Sequence, residues 1–332
     1  MSGEIKPLRR GDFGWRTLNG VCNFAPAGLE SGETLFGLPY QFVTLYGTLR
    51  ADHGTTYTLT RRITRGDGGR ARLILQRSTA DQPHFSLCPE GRSTARAIQC
   101  RRTLENGSLN IKSDPAGADQ PFEISFGTQM RWREEGLLNL SGPGIGPGLQ
   151  YYMPHDRGGL VYVSHYYLVE GEVQGERVRG FLCADDTYKP DVTPSPEQKH
   201  SPNPLVEHRL GVAIFNWANH YPAGDSEIGL FAIGHHSFGV GLYANTQGNA
   251  IATPLIDGEV HTDGTSHVPT AIDFDLEGRR WTFVRDQRGT MPGIASDALE
   301  LDGVMHSPEG RQPDVWFCWG QSFPANGLRP VR

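Results

Sequence analysis

An all-β fold is what this sequence predicts, and three observations predict it. Helical periodicity is nearly absent, while period-two alternation and β-rich runs recur along the whole chain. Glycine and proline are abundant, 42 and 23 of 332 residues, and they fall between short apolar runs, where turns belong. Turn dipeptides separate the runs: His53-Gly54, Asn106-Gly107, Asp257-Gly258, Glu277-Gly278 and Asp302-Gly303. Strands that return through such turns are antiparallel, and many antiparallel strands must close or stack to hide their edges. The reading is therefore two antiparallel β-barrel or sandwich domains in tandem.

In chain order, strands are expected over residues 41–49, 55–63, 70–76, 109–112 and 122–126. A hairpin follows within 148–188: a long run at 160–173, a tight turn at Gln174-Gly175-Glu176, and a return run at 177–184 that ends at Asp185-Asp186. Residues 189–204, KPDVTPSPEQKHSPNP, hold five prolines and read as an exposed linker. That places a boundary near residue 200, with domains at 1–200 and 201–332. The shorter stretch Ser141 to Gly148, SGPGIGPG, is the alternative linker. Beyond the linker, strands are expected at 212–215, 227–233, 271–274 and 280–285.

Composition narrows the function classes. Charged residues are 20% and hydrophobic residues 37%, as in a soluble globular protein. A net charge of −6, with no basic cluster interleaved with aromatics, argues against nucleic acid as the main partner. The five cysteines are odd in number and form no CxxC pair, so neither a disulfide framework nor a zinc ribbon is expected. No apolar run reaches the length of a membrane span, and the first residues lack a signal-peptide core. A cytoplasmic location is the simplest reading. The sequence sets no oligomeric state.

Candidate chemistry concentrates in the hairpin. Adjacent side chains of a strand face opposite sides, so only one of Asp185 and Asp186 can point into a barrel. A carboxylic acid in an apolar cavity has a raised pKa and can protonate an alkene or carbonyl. A solvated turn at a strand end is the competing reading of the pair. His155, beside Asp156, is a candidate base, and Tyr152 a candidate donor to developing charge. Tyr151, His165, Tyr167 and Tyr188 are candidate substrate contacts, with barrel-wall packing as the alternative. In the second half, Trp217, Trp281, His235 and His236 are candidates for lining a ligand cavity, and core packing competes for the tryptophans. Adjacent histidines diverge on a strand and no HExxH spacing exists, so no metal site is expected.

The hairpin resembles the carotenoid 1,2-hydratase (hydroxyneurosporene synthase) family, whose members carry tandem lipocalin-like domains. The resemblance rests on Tyr151-Tyr152, on Gly171, Gly175 and Gly180, and on the acidic end at Asp185. The family has an aromatic residue two positions before that aspartate, where this chain has Cys183. A weaker similarity runs over 206–323, and Trp217 resembles the family's tryptophan at the start of its second barrel. The resemblance implies two lipocalin-like barrels, with the 141–148 stretch a loop at the end of the first, an acidic role for Asp185, and hydration or dehydration of a carbon–carbon double bond. Relatives with similar barrels catalyse cyclisations. The expectation is a cofactor-independent acid–base enzyme, a hydratase/dehydratase or cyclase/isomerase, acting on an apolar unsaturated small molecule of terpenoid, aromatic or polyketide type. The alternative is a non-catalytic carrier of a hydrophobic ligand.

Overall fold

Period-two alternation becomes two curled antiparallel sheets. The computed structural model describes residues 17–23, 34–65, 71–89, 100–114, 121–153, 159–190, 213–234, 239–254, 256–262, 268–291 and 299–322. The first sheet takes β1 (Leu18–Cys22), β2 (Thr34–Leu35), β3 (Leu38–Ala51), β4 (Thr56–Thr64), β5 (Ala71–Ser78), β6 (Ser86–Leu87), β7 (Cys100–Glu105), β8 (Ser108–Ser113), β9 (Phe122–Phe126), β10 (Gln129–Glu134), β11 (Leu138–Met153), β12 (Leu160–Val173) and β13 (Glu176–Tyr188). The second takes β14 (Ala213–His220), β15 (Ser226–Ile233), β16 (Gly239–Asn245), β17 (Ala250–Thr253), β18 (Asp257–Thr262), β19 (Pro269–Leu276), β20 (Arg279–Thr290), β21 (Leu299–His306) and β22 (Val315–Ser322). Among the described residues no helix is long and apolar enough to cross a membrane.

Both sheets are curled antiparallel half-barrels in which one long-range pairing joins the early strands to the late ones. In the first, β3 pairs with β13, so the order runs β6-β5-β4-β3-β13-β12-β11-β10-β9-β8-β7. In the second, β14 pairs with β22, and the order runs β17-β16-β15-β14-β22-β21-β20-β19-β18. The strand alternation assigns each side chain to one of three apolar cores. Leu45, Leu49, Val163, Val169, Leu182 and Ala184 fill the hollow of the first sheet. Phe215, Trp217, Phe274, Trp281 and Phe283 fill that of the second. The opposite faces of the same strands meet in a third core, the seam, where Tyr46, Tyr151, Tyr166 and Phe181 pack against Ala218, Leu230, Leu242 and Phe317.

The hollow of the first sheet also encloses an ion pair. Arg61 and Glu134 are fully buried and paired through two guanidinium nitrogens, Nε to Oε1 at 2.9 Å and Nη2 to Oε2. Trp132 Nε1 donates to Glu134 Oε1 at 2.7 Å, and the guanidinium lies 4.2 Å above the Phe122 ring. Burial alone pushes the Glu134 carboxyl up, and Arg61 pulls it back.

Three sequence expectations change here. Asp257-Gly258 and Asp302-Gly303 are not turns but lie inside strands β18 and β21. Their glycines serve close approach: a Cβ on Gly258 would sit 2.5 Å from Asp273 O, and one on Gly303 2.4 Å from the Phe283 ring. The stretch from Ser141 to Gly148 is not a loop. It continues β11, with an irregularity between Ile145 and Leu149 that accommodates Pro147. The acidic pair does not end its strand either, since β13 runs on to Tyr188. Turns expected at Asn106-Gly107, Gln174-Gly175 and Glu277-Gly278 form, each with positive φ at both residues, the type I′ geometry of tight hairpins.

The proline-rich segment falls, from residue 191 on, outside the described residues. We propose that it joins two domains, and expect limited proteolysis to cut first within 189–204; fragments split near residue 145 would overturn that boundary. Replacing Glu134 by Ala leaves Arg61 buried and uncompensated. A loss on the order of 3–5 kcal/mol is expected in urea denaturation, and an unchanged midpoint would show the pair to be inert.

Candidate functional site

Hairpin β12–β13 presents its chemistry on two faces because side chains alternate. Cys183 and Asp185 face the seam with Ser164 and Tyr166, while Ala184 and Asp186 face the hollow of the first sheet with Val163, His165 and Tyr167. The two carboxylates are therefore neighbours in sequence and occupy separate environments.

On the seam side, Asp185 sits in a cradle of donors. Ser164 Oγ donates to its Oδ1 at 2.5 Å, Cys183 Sγ lies 3.3 Å from the same oxygen, and Tyr46 Oη donates to Oδ2 at 2.7 Å. The second sheet completes the arrangement. Asn216 Nδ2 donates to Tyr46 Oη at 2.5 Å, and Tyr166 Oη donates to Asn216 Oδ1 at 2.8 Å while lying 2.9 Å from Gly229 O. The hydrogen bonds from Tyr166 to Asn216, from Asn216 to Tyr46 and from Tyr46 to Asp185 thus each point their donor towards Asp185. Burial raises the Asp185 carboxyl above its ordinary 3.8, against the pull of Ser164, Tyr46 and Cys183.

Asp185 opens into a cavity of about 110 Å³ between the sheets. Thr44, Tyr46, Tyr151 and Tyr162 of the first sheet form one wall, and Ile214, Asn216, Leu230 and Trp319 of the second form the other. Ligand pockets commonly reach roughly 300–1,000 Å³, so this one suits the reacting portion of a larger molecule. Tyr151 Oη is buried without a hydrogen-bond partner, which leaves a donor available to whatever occupies the space. The Trp319 ring meets Tyr46 edge-on at 5.2 Å and is anchored by Nε1 donating to Glu300 Oε2 at 2.6 Å. A larger concavity, about 940 Å³, lies on the outer face of β7–β10. It is an open polar groove, and its one strongly perturbed acid, Glu134, turns inward to Arg61.

Facing the hollow, Asp186 is 3% exposed and its Oδ1 has no hydrogen-bond partner. Burial and the neighbouring Asp185 push it well above the carboxylate range. His165 Nε2 stands 3.8 Å from Asp186 Oδ2, beyond hydrogen-bond length, and burial lowers the imidazole to about 4. Burial thus favours the neutral form of both groups and works against an ion pair between them. Tyr40, Tyr167 and Tyr188 surround it in the same core.

Of the residues singled out in the sequence, the seam brings together Asp185 and Tyr151. Asp186, His165, Tyr167, Tyr188 and Tyr152 lie on the hollow side, Tyr152 with its ring 5.4 Å from that of Phe36. Trp217 and Trp281 are fully buried in the second sheet's core, away from the cavity. Trp217 fits there because Gly229 has no side chain: a Cβ would come within 1.9 Å of the indole. His155, His235 and His236 lie outside the described residues. Sequence reasoning missed Tyr46, Ser164, Asn216 and Tyr162. Ser164 and Tyr162 carried a signal, since a residue directly across a hairpin, or two positions along, shares a face with Asp185. Tyr46 and Asn216 carried none.

No protein-family model matches the chain, and no curated protein sequence matches it. Solved structures do. A protein assigned as AttH from Nitrosomonas europaea is 12% identical, with 91% of this chain and 97% of that one covered and a TM-score of 0.48. Kievitone hydratase from Nectria haematococca is 8% identical over 95% of this chain and all of that one, at a TM-score of 0.45. CghA, solved with Sch210972, is 12% identical over 94% and 99%, at 0.43.

The neutral His165 has a consequence for stability. Its imidazole falls from 6.5 to about 4 on folding, so the neutral form is favoured, and that contribution is complete above pH 6.5. It is lost as pH falls towards 4, by on the order of 3 kcal/mol at about 1.4 kcal/mol per pH unit. His165→Gln is expected to flatten the stability profile between pH 7 and 4.5, measured by urea denaturation. Parallel profiles for the two proteins would contradict the assignment.

Proposed function

We propose that the chain is a cofactor-independent acid–base enzyme that protonates an unsaturated small molecule in the seam cavity, leading to hydration, its reverse, or cyclisation. One observation carries this reading. Asp185 is a deeply placed carboxyl group, open to a cavity, at the end of an aligned chain of donors.

The chemistry follows from that alignment. Burial favours the protonated acid. When Asp185 passes its proton to an alkene carbon, negative charge appears on its oxygens. Ser164 and Tyr46 already point donors there, and the Tyr166–Asn216 bonds polarise Tyr46 in the same sense, so the developing carboxylate is stabilised without reorganisation. The positive charge left on the substrate faces Tyr151, Tyr162 and Trp319, whose π-faces attract cations. Attack by water gives an alcohol, with the water's proton returning to Asp185. Attack by a second double bond of the same molecule gives a ring, and loss of a proton to Asp185 closes the cycle. Tyr151 Oη is the donor available to orient the water or a substrate oxygen.

Turnover is expected to need protonated Asp185, so activity falls as pH rises through its raised pKa. Asp185→Asn should lower kcat/KM by about a hundred- to ten-thousand-fold, with the circular dichroism spectrum unchanged. Tyr46→Phe removes one donor and should cost roughly ten- to a hundredfold, less than a full oxyanion-hole donor. Asp186→Asn, on the other face, should change turnover only severalfold. The assay is mass spectrometry of unsaturated terpenoid and aromatic compounds incubated in heavy-oxygen water. Near-normal turnover by Asp185→Asn on a converted compound would sink the reading.

A further inference from the structure

The row of side chains that holds Asp185 continues outward to two cations. Across neighbouring strands the register aligns Ser164, Asp185, Thr44 and Arg62 on β12, β13, β3 and β4. Arg62 is thus two strands from Asp185, roughly 10 Å between backbones at the usual strand spacing, and it lines the same cavity. It is exposed, so it stands at the mouth. Its Nε donates to Thr44 Oγ1 at 3.3 Å, and its guanidinium lies 4.6 Å from the Phe42 ring centroid. Lys189, just past the end of β13, brings its ammonium to 5.7 Å from the same ring.

Two like charges converge there, with no carboxylate among the described residues paired to either. Among the described residues neither Arg62 nor Lys189 has a carboxylate within ion-pair distance, and the Nη groups of Arg62 have no hydrogen-bond partner. Several other arginines of the chain, whose net charge is −6, have carboxylate partners. Arg50 meets Asp302, Arg61 meets Glu134, Arg288 meets Asp286, and Arg311 meets Asp225. Asp185, the cavity's one acidic lining residue, is turned to its own donors. Burial and the charge on Arg62 both hold the Lys189 ammonium below its ordinary value, so the pair is costly as it stands and a shared anion relieves it.

We propose that the seam cavity is a site for an unsaturated carboxylic acid, whose apolar body enters between the sheets and whose carboxylate is held at the mouth by Arg62 and Lys189. The planar guanidinium, fixed by Thr44 through Nε, presents its Nη groups for the fork-like pairing that carboxylates accept. Both cations rest against the Phe42 ring, which anchors them at the rim. The anion sets the depth of the substrate: with the carboxylate at Arg62, the double bond that Asp185 reaches lies within about 10 Å of it. This inference rests on the seam being the substrate site, but it concerns binding and stands apart from whether Asp185 transfers a proton.

The test is equilibrium binding followed by quenching of tryptophan fluorescence and by calorimetry. The probes are matched pairs: trans-cinnamate and methyl cinnamate, and 3,7-dimethylocta-2,6-dienoate and its methyl ester. The full chain is expected to bind each acid at least tenfold more tightly than its ester at low ionic strength, and the preference should shrink as potassium chloride is added. Arg62→Gln and Lys189→Gln should each reduce the preference to within about threefold. The double variant should abolish it and leave ester affinity and the thermal midpoint unchanged. Arg62→Glu should make the acids bind more weakly than the esters. Asp185→Asn should retain the acid preference, so loss of turnover in that variant speaks to the proton-transfer reading alone. Equal affinity for acid and ester, a preference that survives in the double variant, or no binding of any of the acids overturns the proposal.

Discussion

Packing of the outer face of β3 and β11–β13 against β14–β16 and β22 is the constraint on which the rest of the molecule depends. Each sheet fills its own hollow with an apolar core, but the strands that face the seam are apolar on both sides. A sheet of that kind cannot stand in water on either face, so the two halves require each other. Arg50 and Thr48 lock the contact from the first sheet by reaching Trp316 O at 2.6 Å and Asp302 Oδ1 at 3.0 Å in the second. The seam removes Asp185 from bulk water and brings Asn216 to Tyr46, and neither effect exists within one sheet alone.

Electrostatics then divides the hairpin by face. Both carboxyls of the pair are pushed upward by burial, yet their surroundings differ in what they allow. Asp185 has donors for the charge it would carry once deprotonated and a cavity beside it. Asp186 has a buried oxygen without a partner and a neutral imidazole close by, so the neutral form is the stable one. An acid that can ionise reversibly next to open space is suited to proton transfer, and an acid locked neutral in a core is suited to packing. The distribution of positive charge follows the same logic, with Arg61 neutralised in a core by Glu134 while Arg62, next along the strand, faces the cavity mouth.

Much of the architecture is legible in the sequence. Period-two runs mark most of the longer strands, and Leu160–Val173 has the same bounds in sequence and structure because the tight turn at Gln174-Gly175 ends it. Glycine pairs mark turns reliably where they adopt positive φ, as at Glu277-Gly278. They mislead where a glycine is selected for close approach, as at Gly258 and Gly303, because both uses look alike in one dimension. The SGPGIGPG stretch misleads for a related reason: proline and glycine suggest a loop, but an irregular strand tolerates both.

The sequence by itself determined the all-β class, the β12–β13 hairpin with its adjacent carboxylates, and the rule that those carboxylates face apart, since strand pleating is local. Only the tertiary structure decided which face each one meets. It also decided that Trp217 and Trp281 belong to a core and that Tyr46, Ser164 and Asn216 form the cradle. Asn216 and Tyr46 are 170 residues apart, joined across two sheets by a single hydrogen bond. No periodicity or motif encodes such a contact, because it depends on how two curled surfaces register against each other.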